Sequence, residues 1–130
     1  MTAATTSAKE GAKAERPGVE RRRAPRYRCM GECVVRLEGT MEPADWPGMA
    51  YNISATGIAV ALPFPALRGL ELVIEPRRGR SARLRMRARV VRCGLREYVW
   101  FHGCDFAARL SDEELLRWLS ALRGEVPPRA

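Results

Sequence analysis

The sequence predicts an all-β protein, a six-stranded antiparallel split β-barrel with a C-terminal capping α-helix. Three observations carry that expectation. Through most of the chain apolar residues alternate with their neighbours at period two, the mark of half-buried strands. One segment near the C-terminus repeats its apolar residues at helical spacing behind an N-cap. The chain has 130 residues, 46% hydrophobic and 29% charged, enough for one core but not two. That size excludes an enzyme with a separate cofactor domain.

The first nineteen residues hold no aromatic residue and no hydrophobic period. They are expected to form a flexible tail, with one domain over residues 20–124. Cys33, Val35 and Leu37, alternating with Val34 and Arg36, start the strands. Met49 to Ser54 is a shorter strand ahead of a turn at Ala55-Thr56-Gly57. Ile58, Val60 and Leu62 alternate with Ala59 and Ala61. Leu70, Leu72 and Ile74 alternate with Glu71, Val73 and Glu75, and Pro76 ends that run. Leu84, Met86, Ala88 and Val90 alternate with Arg83, Arg85, Arg87 and Arg89. The aromatic stretch Tyr98 to Phe106 pairs with this strand as a hairpin across Cys93 to Glu97. Ser111 then caps a helix over 111–123, with Glu114 completing a capping box. Leu115, Trp118, Leu119 and Leu122 form its apolar stripe, and Gly124 stops it. The stripe is expected to cover the open end or flank of the sheet. Residues 125–130 carry two prolines and are expected to be disordered.

Charge is unevenly placed. There are 23 basic and 15 acidic residues, a net charge of +8. All but Lys9 and Lys13 of the basic residues are arginines. Residues 77–96 hold nine arginines and no acid, and residues 20–36 have a basic surplus of four, so the rest of the chain is net acidic. Such segregation points to an anionic partner. The Arg83, Arg85, Arg87, Arg89 stripe reads as a solvated strand face, its repulsion relieved by Glu71 and Glu75 on the neighbouring strand. The alternative is a small basic barrel binding single-stranded nucleic acid along the stripe. Such grooves present aromatics, whereas this strand interleaves Leu84, Met86 and Ala88.

Arg21-Arg22-Arg23-Ala24-Pro25-Arg26-Tyr27-Arg28 precedes the first strand. Pro25 biases Ala24 to an extended conformation, so the segment is a stiff, guanidinium-rich arm and not a helix. Guanidinium groups grip phosphate or the O6/N7 edge of guanine with paired hydrogen bonds, and they stack on aromatic planes. Further on, Asn52 and Ser54 at i and i+2 are expected to face one way at a strand end. Gly57 then permits either a positive φ or a close backbone approach.

Nothing independent points to catalysis or a metal. His102 has no paired acid at a recognisable spacing, and Cys104 has no histidine in a nucleophile pattern. Cys29, Cys33, Cys93 and Cys104 form no C-x-x-C pair and are expected to be buried, reduced thiols. The longest apolar run, Ile58 to Phe64, is interrupted by Pro63 and too short for a membrane span. The sequence therefore predicts a non-enzymatic cytoplasmic protein without metal, cofactor or membrane insertion.

The arm and the turn, in this order and separated by a strand, resemble the PilZ domain family. Arg22-Arg23-Ala24-Pro25-Arg26 matches that family's R-x-x-x-R arm. Asn52-Ile53-Ser54-Ala55-Thr56-Gly57 matches its [D/N]-x-S-x-x-G turn. Arg21 before the motif, the Gly103-Cys104-Asp105-Phe106 strand ending and the capped terminal helix also fit, so the resemblance spans roughly 20–124. It implies a small β-barrel that binds cyclic di-GMP, a bacterial second messenger, without catalysis in this domain. By resemblance, Arg22 and Arg26 grip guanine edges and phosphate, and Asn52 meets the Watson–Crick edge of a guanine. Ser54 hydrogen-bonds the ligand, and Gly57 lets the backbone turn beneath it. Arg28 is an additional contact. Arg21 stacks on a second guanine, which favours an intercalated ligand dimer. The expected function is a receptor whose arm changes conformation on binding and signals to a partner protein.

Overall fold

The structure, a computed structural model, describes residues 24–39, 44–77 and 84–124. The expected N-terminal tail (1–19) and C-terminus (125–130) lie outside these. Six strands and one helix follow in order: β1 (Tyr27–Leu37), β2 (Asp45–Ile53), β3 (Gly57–Leu62), β4 (Glu71–Pro76), β5 (Met86–Arg96), β6 (Val99–Phe106) and α1 (Asp112–Arg123). The strands close a barrel in the order β1-β2-β3-β6-β5-β4, with β4 returning to β1. Every pairing is antiparallel. This is the expected architecture.

The alternating residues build the core as the period requires. Val35, Ile53, Val60, Leu72, Ile74 and Val90 are fully buried, with Ile58 and Leu62 nearly so. Helix α1 packs mainly on β1, and its Leu115, Trp118, Leu119 and Leu122 join the same core. The capping box forms: Ser111 Oγ accepts from the Glu114 amide at 3.1 Å, and Glu114 Oε1 accepts from the Ser111 amide at 2.8 Å. Hydrogen bonding to the carboxylate from Ser111, from its amide first and then its side chain, holds the Glu114 carboxyl below its ordinary pKa. Gly124 stops the helix in the left-handed region at φ 72°.

Two boundaries differ from expectation. Strand β1 starts six residues earlier than Cys33, so Arg28 belongs to the barrel and not to a free arm. Strand β5 continues to Arg96, and the hairpin loop shrinks to Glu97-Tyr98, with φ of 44° and 73°. Two positive φ values in a two-residue loop match the twist of the flanking strands. Glycine or asparagine usually supplies that geometry, so Glu-Tyr gave no sign of it. Cys93 consequently lies in the strand and is exposed, unlike the other three cysteines. Burial raises the Cys29 thiol pKa and pushes Cys33 and Cys104 up to about 12, which leaves those two protonated and unreactive.

Three β-bulges interrupt the regular pairing of the barrel. In β1 the register shifts between Arg28 and Gly31, with Met30 in the left-handed region at φ 47°. In β2 it shifts between Ala50 and Asn52, leaving Tyr51 as the extra residue. In β5 it shifts between Val90 and Arg92, leaving Val91 extra. A bulge re-aims the side chains that come after it.

Candidate functional site

Ala50 is buried, and strict alternation would send Asn52 inward beside it. The extra residue Tyr51 cancels that phase, so Asn52 opens onto the outer surface, half-buried, while Ile53 returns to the core. Across the strand pair Asn52 stands directly opposite Arg28. Arg26, just before β1, reaches the same place, its Nη1 donating to Asn52 Oδ1 at 2.8 Å. Residues 26 apart in sequence therefore meet on one face. The bond leaves the Asn52 amide donors and part of its carbonyl capacity for a ligand.

The turn after β2 is built differently from expectation. The strand ends at Ile53, so the period-two rule no longer places Ser54 beside Asn52. Ser54 is 2% exposed. Its Oγ accepts from the amides of Thr56 and Gly57, both at 3.1 Å, and its own amide donates to the Gly57 carbonyl at 2.8 Å. Thr56 Oγ1 lies 3.2 Å from the Ser54 hydroxyl. Ser54 thus holds the shape of the turn that follows Asn52.

Gly57 opens β3 opposite Asp105 of β6. A Cβ at Gly57 would collide with the Cys104 carbonyl oxygen, while φ is positive only at Gly39, Gly69 and Gly124 among the described glycines. Of the two sequence-derived reasons for a glycine, close backbone approach is the one that applies.

Arg21 and Arg22 lie outside the described residues. The arm is described from Ala24, which packs against the core. Sequence reasoning missed a further arginine. Arg123, in the last turn of α1, donates from Nε and Nη2 to the Arg28 carbonyl at 3.0 and 2.6 Å. Its only sequence signal was its place beside the helix stop, where a cation suits the helix dipole.

The electrostatics separate this face from the arginine stripe. Arg85 pairs with Glu75 at 2.8 Å, Arg89 with Glu71 at 3.2 Å and Arg87 with Glu38 at 3.9 Å. Arg83 lies outside the described residues. Exposed pairs of this kind add about 0–1 kcal/mol each to stability, but they neutralise the stripe. Around Asn52, by contrast, Arg26, Arg28 and Arg123 form no ion pair among the described residues. The face is left positive and open to an anion.

A family model described as PilZ domain matches residues 20–122. The chain belongs to the PilZ domain family. PilZ domains are binding domains for cyclic di-GMP, and the match takes in both the arm and the turn. No curated protein matches the chain. Among the described residues no helix is long and apolar enough to cross a membrane, and no cluster of metal-binding side chains is present. His102 is a core residue: its Nε2 accepts from the Ala66 amide at 2.8 Å, and Nδ1 lies 3.4 Å from the Val60 carbonyl. Burial lowers its pKa, favouring the neutral ring.

Proposed function

We propose that this protein is a cytoplasmic bacterial receptor whose outer face at Arg26, Arg28 and Asn52 binds cyclic di-GMP, with Arg21 and Arg22 closing over the ligand. The observation that carries this reading is the 2.8 Å bond from Arg26 to Asn52, which joins the two motifs on a positive surface. The ligand presents guanine edges to the amide of Asn52 and phosphates to the guanidinium groups. Ser54 and Gly57 act by fixing the turn that follows Asn52. If Arg21 stacks on a second guanine, two ligands bind per chain as an intercalated pair. On binding, the arm moves from a repelled to a neutralised state, and the altered surface signals to a partner protein. The paired stripe on β5 speaks against the nucleic-acid alternative.

Calorimetric titration with cyclic di-GMP, with GTP and single-stranded DNA as controls, tests the proposal. Arg22→Ala and Arg26→Ala should each weaken binding by about 1–3 kcal/mol, roughly five- to hundredfold. Wild-type affinity in the double variant would sink the assignment. A stoichiometry of two that falls towards one in Arg21→Leu supports the ligand pair, and one ligand per wild-type chain removes it.

A further inference from the structure

The row that contains Arg28 and Asn52 continues around the barrel. Asn52 is paired with Ala59 of β3, Ala59 with Gly103 of β6, and Gly103 with Arg92 of β5. Val90 is buried and paired with the buried Cys104, so strict alternation would carry Arg92 into the core. The bulge at Val91 turns it outward, as the bulge at Tyr51 does for Asn52. Two bulges on separate strands therefore bring two polar side chains to the same level of the same face.

The residues between them keep this face low. Ala59 and Gly103 have no side chain beyond a methyl group. A Cβ at Gly103 would sit 3.4 Å from Arg92 Nε and 3.5 Å from Nη2. The guanidinium thus lies over Gly103, along the row. Arg85, Arg87 and Arg89 on the same chain segment are each held by a glutamate, while Arg92 makes no ion pair or hydrogen bond among the described residues.

We infer that Arg92 forms the far wall of the ligand site, gripping the half of the dinucleotide that Arg26 and Asn52 do not hold. From Asn52 to Arg92 there are three strand spacings, a span of about 14 Å. One nucleobase is too small to touch both ends of that span. A molecule with two guanines and two phosphates, lying across the bare floor of Ala59 and Gly103, reaches both. Arg92 therefore contributes to the choice of a dinucleotide over a mononucleotide. The inference rests on the cyclic di-GMP reading proposed for this face, and its test is arranged to separate the two.

The full chain is titrated with cyclic di-GMP as wild type, Arg26→Ala, Arg92→Ala and Arg85→Ala. All three side chains are at the surface, and far-UV circular dichroism verifies the fold of each variant. Arg92→Ala should bind about five- to hundredfold more weakly, the range of one lost bidentate contact. Arg85→Ala, which removes a paired stripe arginine, should stay within about twofold of wild type. A loss in Arg26→Ala with wild-type affinity in Arg92→Ala overturns this inference and leaves the site reading standing. No binding by the wild type overturns both. An equal loss in Arg92→Ala and Arg85→Ala overturns the inference in favour of a diffuse charge effect.

Discussion

Substitution of Gly57 gives a direct test of how the turn beside the site is built. Two demands can place a glycine there, a left-handed backbone or a close neighbour, and they make opposite predictions. Asparagine tolerates the left-handed region better than alanine does, so a conformational demand makes Gly57→Asn the milder change. A steric demand makes Gly57→Ala milder, because alanine adds only a methyl group. The Cβ of either residue would collide with the Cys104 carbonyl, and β3 or β6 must shift to admit it. Overpacking of this kind costs about 1–3 kcal/mol. In a domain of about 100 residues each kcal/mol lowers Tm by about 4–8 °C. Gly57→Ala should therefore lower Tm by at least about 4 °C, and Gly57→Asn by more.

Gly39 supplies the internal control. Its φ is 80° and a Cβ there would meet nothing within 4 Å. At Gly39 the demand is conformational, so Asn should be milder than Ala. Thermal unfolding of the four variants, followed by tryptophan fluorescence with Trp118 2% exposed in the core, reads the order at both sites. The same order at Gly57 and Gly39 would refute the steric account. A Tm for Gly57→Ala within about 1 °C of wild type would refute it as well.

Two other predictions concern residues away from the turn. Burial lowers the His102 pKa in the folded chain from an ordinary value of 6.5, so the unfolded chain takes up the proton first. Stability should therefore fall as pH drops below about 6.5, by at most about 1.4 kcal/mol per pH unit from this group. In urea titrations that contribution should be missing from His102→Gln, and an identical pH dependence in both proteins would show that the ring does not carry it. Arg123→Ala removes two hydrogen bonds to the Arg28 carbonyl and should cost about 1–3 kcal/mol in the same assay; an unchanged denaturation midpoint would show that the contact does not hold β1.

The barrel was legible because its strands obey the alternation that a half-buried sheet imposes. Val35, Val60, Leu72 and Val90 all lie where period two puts them, and the capped helix keeps its own period. The candidate site was legible only as a set of residue types, since arginines near asparagine suit a guanine nucleotide whatever the backbone does. Its geometry was not. Period two predicts nothing once a bulge shifts the phase, and neither Tyr51 nor Val91 carries a mark of being the extra residue. Arg92 therefore looks, in the sequence, like one more member of the stripe. Ser54 departs from expectation for the related reason that its strand ends one residue earlier. The Glu97-Tyr98 loop adopts a glycine-like geometry without glycine, so the sequence makes that turn look longer than it is.

The bulge in β1 bears on how a signal could leave the site. Helix α1 touches β1 on both sides of it. Arg123 holds the Arg28 carbonyl before the bulge, and Leu122 presents its carbonyl to Gly31 after it, so closely that any side chain at Gly31 would collide. Between them Met30 sits in the left-handed region at φ 47°, a conformation that costs an ordinary residue about 1–3 kcal/mol and persists only where its surroundings impose it. The last turn of the helix supplies those surroundings. Arg28 is at once the cross-strand partner of Asn52 and the anchor of Arg123, so the proposed ligand would act on a stretch of backbone that the helix already grips. A shift there has two places to go, out along the arm or into the helix. The arm is joined to the core at Ala24, only four residues from Arg28. Asn52, the arm and helix α1 thus meet on one short segment of β1, so the ligand proposed for Asn52 would have a direct path from its site to the surface of the helix.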